Sequence, residues 1–436
     1  MKKRLTSILL ILTLVVTTVL GGTTASASAA TQSRINDVYK KCGNYIYNKV
    51  TEPAYGATGG EWVMYGLAQA GYPMSNDYIA KYKQTVEKAV KEGYRGVPGQ
   101  LHDRKYTEYS RVIVAYAALG LDPTDIAGYN MVEKLAEFDK VVWQGLNGPI
   151  WALRALDAGK YQLPKVTGIE NITTRQKLVD YILNAQLADG GWNLNVSDPT
   201  AKDFETGKAT LKSDPDMTGM ALTALAPYKS QTKVKTAINK AVAALSKSQN
   251  TDGSYTAWGA TTSESVSQVI CGLTAVGIDP NTDSRFKKNG KSLIDAQLLF
   301  YDEKTGGFRH VNTASGGYEP VVNQMATEQA YYALAAYKNT VPEKTILSKA
   351  VKTSKTSLKA TWKKASMGLG YQVTVATNAK FTKGVKKITV SGRNTVSRKV
   401  TGLTKSKTYY VKVRTYKTVN GTKVYGAYST AKKVKL

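Results

Sequence analysis

The sequence predicts a multidomain chain, with an all-α ring of six helix pairs over residues 31–340 and an all-β sandwich over residues 341–436. Three observations predict it. A diffuse repeat of short apolar helical segments runs through the first region. Longer amphipathic segments alternate with them. Beyond residue 340 the pattern changes from helical spacing to strict alternation.

Residues 1–30 read as a cleaved secretory leader. Lys2-Lys3-Arg4 precede an apolar run from Ile8 to Leu20, and Ala25-Ser26-Ala27 and Ala27-Ser28-Ala29 both fit a cleavage site. This is the order of charge, apolar core and small residues found in signal peptides; threonines and Gly21-Gly22 break the run too early for a membrane anchor. No other segment is long and apolar enough to span a bilayer. A secreted, non-transmembrane protein is expected.

In the ring, Ser110 to Gly120 and Ser267 to Gly277 are the clearest copies of the repeat, each followed by an aliphatic residue and Asp-Pro (Leu121-Asp122-Pro123 and Ile278-Asp279-Pro280). Weaker copies are Glu61 to Gly71, Pro149 to Gly159, Asp216 to Tyr228 and Ala326 to Tyr337. These six are nearly apolar all round, as helices buried on every side are. Six amphipathic segments lie between them, near 32–49, 75–93, 127–139, 172–187, 231–248 and 286–299. An inner ring wrapped by an outer ring satisfies both patterns, whereas an open solenoid leaves capping faces exposed.

The links have their own signature. Gln186 with Gly190-Gly191-Trp192, Gln249 with Gly253-Ser254-Tyr255 and, more loosely, Gln297 with Gly306-Gly307-Phe308 each end an outer helix. Glycine permits the left-handed turn, glutamine can bond backbone groups freed at the turn, and the aromatic can cover the junction. These Q-x-x-x-G-x-W turns resemble those of the terpene cyclase and protein prenyltransferase repeat superfamily, which implies an (α/α)6 toroid. With Glu108-Tyr109-Ser110-Arg111, Asn147-Gly148-Pro149, Asp216-Met217-Thr218 and Ala326-Thr327-Glu328-Gln329, the chain is similar to exported Firmicute surface proteins carrying that toroid. The same ring occurs in complement thioester domains and in cobalamin carriers of the transcobalamin type.

The chemistries that the resemblance implies are each incomplete. Class II cyclases protonate an alkene with the middle acid of D-x-D-D, but Asp214-Pro215-Asp216-Met217 lacks the last acid, and six Phe are few for a cation-lining cavity. Asp216 also reads as the cap of the inner helix that follows it. A prenyltransferase zinc site needs Asp, Cys and His, whereas only His102 and His310 are present and both cysteines fall in apolar stripes. A thioester needs G-C-G-E-Q, and Gly59-Gly60-Glu61-Trp62 has Gly and Trp at the two reacting positions. No metal, cofactor or assigned catalytic residue is expected. A glycosidase or lyase reading keeps Glu108, Tyr109, Arg111 and Glu264, but nothing in the spacing sets two carboxylates opposite each other.

Position is more informative. Glu61, Trp62, Glu108, Tyr109, Arg111, Asn147, Asp214, Asp216, Thr218, Glu264, Gln268, Glu328 and Gln329 fall at or near inner-helix starts. Parallel inner helices bring those starts to one mouth, where converging polar groups over a cavity make a ligand site; capping and pairing across the ring is the alternative. Cys42 and Cys271 are the only cysteines. In an exported protein an even pair points to a disulfide, and transcobalamin-type carriers tie their N-terminus to a late helix in this way; two buried free thiols are the other reading. Closing so long a loop would stabilise the fold by roughly 5 kcal/mol.

In the tail, Leu358, Ala360 and Trp362 alternate with Lys359, Thr361 and Lys363; Val373/Val375, Ile388/Val390 and Val411/Val413 continue the pattern, and Asn420-Gly421 marks a hairpin. Trp362 and the spacing from Leu403 to Tyr409 resemble the core tryptophan and tyrosine corner of fibronectin type III domains. Of the net charge of +28, this domain carries +22, with 23 Lys and Arg against the single acid Glu343. The toroid is a nearly neutral container. An exported basic module meets anionic cell-wall polymer or acidic glycan rather than nucleic acid. With no sorting motif, lipobox cysteine or hydrophobic tail, the attachment is expected to be non-covalent.

The first functional expectation is an exported, cell-envelope-associated binding protein: an unidentified ligand in the toroid mouth, and the sandwich as tether or spacer. The alternatives are a toroid enzyme acting on a glycan or isoprenoid, and a purely structural or adhesive surface protein. A large closed apolar cavity would favour isoprenoid, an open groove with Tyr and Trp glycan, and a filled centre the interaction protein.

Overall fold

The computed structural model describes residues 32–196, 211–340, 342, 344–365, 370–392, 394–419 and 422–436. The leader over 1–30 and the Asn420-Gly421 turn lie outside them. Outer helices α1 (Gln32–Lys49), α3 (Asn76–Glu92), α5 (Phe138–Val142), α7 (Arg175–Asn184), α9 (Thr232–Ser248) and α11 (Leu293–Leu298) alternate with inner helices. The inner six are α2 (Trp62–Ala70), α4 (Thr107–Leu119), α6 (Asn147–Ala158), α8 (Pro215–Leu225), α10 (Ser263–Val276) and α12 (Gln324–Thr340).

Each inner helix packs on the next, and α12 packs back on α2, so the ring is closed. Outer helices seal it with one stripe: in α3, Tyr78, Tyr82, Val86 and Val90 are buried while the lysines face outward. The two clearest repeat copies end alike, α4 at Gly120 (φ 72°) and α10 at Gly277 (φ 91°), both left-handed as glycine allows.

The glutamine links act as clamps. Gln186 Nε2 donates to the Gly190 carbonyl of its own turn (2.8 Å) and to Ala237 O of the next outer helix (2.9 Å), while Trp192 Nε1 donates to Ile182 O (2.6 Å). Gln249 repeats this with Gly253 O (2.9 Å) and Phe286 O (3.2 Å), and Tyr255 Oη donates to Leu245 O (2.9 Å). The looser Gln297 instead bonds Ser263 Oγ (2.8 Å) at the start of α10.

Two outer segments depart from expectation. The helix expected over 127–139 is a single 3-10 turn (Glu133–Ala136) followed by α5, and that over 286–299 keeps only α11 as α-helix. Proline and Asn-Gly turns nearby favour tight turns over helix propagation, and the apolar residues are buried either way: Leu135, Ala136 and Phe286 all lie in the core.

The cysteine bridge is corrected. Cys42 and Cys271 are buried free thiols. Cys42, on α1, acts electrostatically on Tyr39 and Tyr331, whereas Cys271, on α10, faces Arg154 and Tyr332 in the lumen. Neighbouring positions on α12 point to different sides of that helix, which puts α12 between the thiols. Burial pushes the Cys271 thiol up to about 12.

The C-terminal domain is a two-sheet sandwich. Strands β3 (Leu347–Ser354), β4 (Ser357–Trp362) and β7 (Ser397–Val400) form one sheet. The other runs β10 (Lys432–Lys435), β8 (Thr408–Val419), β5 (Gly370–Ala376), β6 (Lys386–Ser391), with β9 (Thr422–Tyr425) on β8. Trp362 is buried against Tyr371 (centroids 5.2 Å), and Tyr409 Oη accepts from Thr404 N (2.9 Å), closing the expected corner. A short hairpin, β1 (Thr256–Ala257) and β2 (Ala260–Thr261), belongs to the toroid and packs against the start of α8.

Candidate functional site

The inner helices alternate with outer ones and so run parallel, which gathers their N-termini at one mouth. Each helix shows the lumen a residue every three or four positions, as 3.6-residue periodicity requires. In α2 this stripe begins at Glu61-Trp62 and passes through Tyr65; in α10 it runs Glu264, Gln268, Cys271; in α12, Glu328-Gln329, Tyr332. The lumen thus changes from carboxylates at the mouth to amides and then aromatics.

Two polar clusters form the mouth. In the first, Arg111 grips Glu108 with both terminal nitrogens (3.0 and 2.6 Å) and reaches Glu61 with Nε (3.4 Å). Glu61 is 0% exposed and accepts from Gly56 N (3.1 Å) and Tyr82 Oη (3.3 Å); Tyr55 Oη donates to Glu108 (3.2 Å). On the adjacent helix α12, Glu328 Oε1 accepts from Gly59 N (2.8 Å) and Gln324 Nε2 (2.7 Å). Its Oε2 is buried with no partner although the residue is 1% exposed. Burial pushes Glu61 and Glu328 up to about 7, against the pull of Arg111 on the former.

The second cluster contains Asp214, Asp216, Glu264 and His310. Asp214 Oδ1 accepts from Met217 N (2.9 Å), so Asp214 caps α8, with Pro215 at its first turn. The expected cap, Asp216, lies inside the helix and is aimed at α10. It bonds Ser265, its Oδ1 is buried and unpaired, and burial, Asp214 and Glu264 together raise it to about 7. Glu264 is paired with His310 Nδ1 (2.9 Å); burial raises its pKa and His310 opposes the shift. Removing the cap by Asp214→Ala is expected to lower stability by about 1 kcal/mol in chemical denaturation. An unchanged midpoint would transfer the capping role elsewhere.

The remaining candidates separate. Gln268 Nε2 donates to Gln329 Oε1 (2.7 Å) and to Tyr332 Oη. Trp62 lies against Trp151 (4.8 Å) and Tyr332 (6.1 Å). Asn147 is half-buried at the start of α6. Tyr109 and Thr218 turn away from the lumen: Tyr109 Oη holds the 101–102 backbone, accepting from Leu101 N (3.1 Å) and donating to His102 O (2.9 Å), and Thr218 Oγ1 accepts from Trp192 N (3.0 Å).

Several participants were not singled out from sequence. His310 follows the loose Gln297 link, and its rarity was the available signal. Tyr55 and Tyr82 were hidden among 28 tyrosines. Trp258 sits at the tip of the β1–β2 hairpin, 80% exposed, with φ 52°. A bulky residue held at positive φ stores strain, and such strain clusters at functional positions. Its side chain also bonds Asp214. Tyr318, 53% exposed, stands edge-on to His310 (4.5 Å) in the loop that meets this hairpin where Gly316 approaches Ala260. Val97, Trp143, Leu194 and Val321 are exposed on other segments that lead into inner helices, and Met325 is exposed in the first turn of α12.

Deeper, the lumen is filled. Trp62, Tyr65, Trp151 and Tyr332 meet across it, and the Arg154 guanidinium lies 3.9 Å from the Trp151 centroid. Contacts between α2 and α6, which are not neighbours in the ring, make this a plug. Among the described residues no group of His, Cys, Asp and Glu is arranged to hold a metal ion, and no helix is long and apolar enough to cross a membrane.

No family model matches the sequence, and no curated protein is similar to it in sequence. Solved structures are similar in shape. The type II terpene cyclase MstE from Scytonema is 12% identical over 70% of this chain and 98% of its own, with a TM-score of 0.44. The ent-copalyl diphosphate synthase from Streptomyces platensis is 19% identical over 64% of this chain, with a TM-score of 0.37, and the match spans about half of that enzyme (49%). The fifth fibronectin domain of Drosophila Lar is 27% identical over 22% of this chain and 96% of its own, with a TM-score of 0.19. The chain is similar to terpene cyclases along its helical ring and to fibronectin type III domains along its sandwich.

Proposed function

We propose that the protein is an exported binding protein of the cell envelope whose toroid mouth takes a glycan and whose basic sandwich tethers it to anionic wall polymer. One observation carries the reading: exposed Trp258 reaches Asp214 and exposed Tyr318 stands against His310, at the edge of the cluster that also holds Asp216 and Glu264. A sugar ring has an apolar C–H face that stacks on aromatic rings and a rim of hydroxyls that donate to carboxylates, and this mouth offers both. The plug disfavours a long isoprenoid, which needs a large closed apolar lumen; a filled centre is also what a purely structural or adhesive surface protein would have, and the exposed aromatics at the mouth are what favour a glycan over that reading. For the sandwich, no ion pair within the described toroid or sandwich involves any of its lysines or arginines, which leaves its charge for an external polyanion.

The test is co-sedimentation of the full chain with purified cell-wall polysaccharide. Trp258→Ala is expected to weaken binding at high salt by about tenfold or more while leaving stability within about 0.5 kcal/mol, because the residue is exposed. High salt alone should remove the sandwich's share. Undiminished binding by the variant at high salt sinks the glycan reading. Cleavage is a second reading, favoured by Asp216: an acid held protonated near neutral pH beside another carboxylate is what glycoside hydrolysis requires. Release of reducing ends, lost in Asp216→Asn, would establish it.

A further inference from the structure

At the opposite mouth, where the inner helices end, a cavity of about 310 Å³ opens above the plug. This is the lower end of the range for small-molecule sites, roughly 300–1,000 Å³. Its walls are small residues, among them Ala118, Ala158 and Ala224, and Tyr65, Gln69, Arg154, Asp157 and Thr223 provide its polar groups.

Arg154 is the unusual feature. Arg34, Arg111, Arg175 and Arg309, the other half-buried arginines of the described toroid, all pair with carboxylates. Arg154 does not. Asp157, the carboxylate in the same lining, is turned to Arg175 (2.8 Å) and Tyr228 (2.9 Å) and forms no ion pair with Arg154 among the described contacts, so an anion must bind on the side of the guanidinium away from it. Arg154 is stacked on Trp151 and makes one described hydrogen bond, a long one to Tyr65 Oη (3.4 Å). A guanidinium has five N–H donors, and a half-buried cation without a counter-charge is unfavourable unless something supplies one. The six helix C-termini at this mouth carry partial negative charge that opposes an anion, an effect that fades beyond the last turn, so binding rests on contact with the guanidinium itself.

We propose that this mouth is a second ligand site, separated from the first by the plug, which binds a compact organic or inorganic anion on Arg154. A planar oxyanion, carboxylate or phosphate, would take two parallel N–H donors of the guanidinium, with the Gln69 amide at the rim. The alanine walls leave room for a small apolar body attached to the anion.

The full chain is titrated with benzoate and with inorganic phosphate, followed by tryptophan fluorescence, which reports on Trp151 beneath Arg154, and by calorimetry. Saturable binding of at least one probe is expected, and which one binds distinguishes carboxylate from phosphate chemistry. Arg154→Gln should weaken it at least about tenfold. Ala118→Leu, which fills the cavity and keeps the charge, should weaken benzoate binding to a similar degree. Trp258→Ala, at the other mouth, should leave it unchanged. Circular dichroism shows that each variant is folded, and the Ala118 variant decides the matter should Arg154→Gln not fold. Absence of saturable binding by both probes, or binding by the Arg154 and Ala118 variants as tight as the parent's, overturns the proposal.

Discussion

Gly219→Val is expected to destabilise the ring by at least about 3 kcal/mol, read as a lower midpoint in chemical denaturation followed by helical circular dichroism. A side chain at Gly219 would place its Cβ 2.3 Å from Gln268 O and 2.9 Å from Val269 N; one at Gly272 would lie 2.6 Å from Gly219 O. α8 and α10 therefore touch backbone to backbone, and neither wall can yield as a flexible side chain would. Relief requires the helices to move apart. That motion also displaces Gln268 from Gln329 and Tyr332 and separates Asp216 from Glu264, so binding at the mouth should fall with stability. A loss under 1 kcal/mol would mean that the helices are not packed this closely in solution.

The second large effect is on pH. Glu61 and Glu328 are raised from 4.5, and Asp216 from 3.8, to about 7 in the folded protein, each chiefly by burial. A raised carboxyl binds its proton more tightly folded than unfolded. Its stabilisation is complete below the unfolded value and is lost as pH rises through the folded one. Each group contributes at most about 3 to 4 kcal/mol, and their mutual repulsion makes the sum smaller than three separate losses. Stability should therefore fall between about pH 5 and pH 8. Below that window the opposite sign takes over, since Asp302, held down to about 2 by Arg309 and Thr305, loses its stabilisation as it protonates. The Asp216→Asn, Glu328→Gln double variant should flatten the decline and be more stable than the parent at pH 8. A parent that gains stability from pH 5 to pH 8 would show these carboxyls to be ionised and paired by groups outside the described contacts.

The ring was legible because its signals are redundant. Each inner helix repeats the same apolar composition, and the Gln of each strong link bonds backbone groups at its turn as the sequence implied, while the aromatic, expected only to cover the junction, also donates to a backbone carbonyl. The short outer helices were not legible: α5 and α11 bury residues such as Leu135 and Phe286 as a longer helix would, so the apolar pattern does not distinguish turns from helix. In the mouth, helix starts could be located, but not which way each side chain points. Asp214 and Asp216 are two residues apart and exchange the roles of cap and lumen carboxyl, and Tyr109, one position from Glu108, faces the opposite way. The plug was not foreseen, because Trp62, Trp151 and Tyr332 come from three distant repeats. The same holds for Cys42 and Cys271, where parity suggested a bridge and α12 lies between the thiols.

The seam between α12 and α2 governs how the ring can open as well as its shape. Gly59 N and the Glu328 carboxyl meet there across 269 residues, so the circle stays unfinished until nearly the whole helical chain is available, and contacts this distant in sequence close slowly. A linear repeat array frays from its ends because its last unit has one neighbour. Here every hairpin has two, and releasing any one of them breaks both. Resistance to proteases and heat should therefore reside in the slowness of that first breach, a kinetic durability rather than an equilibrium one.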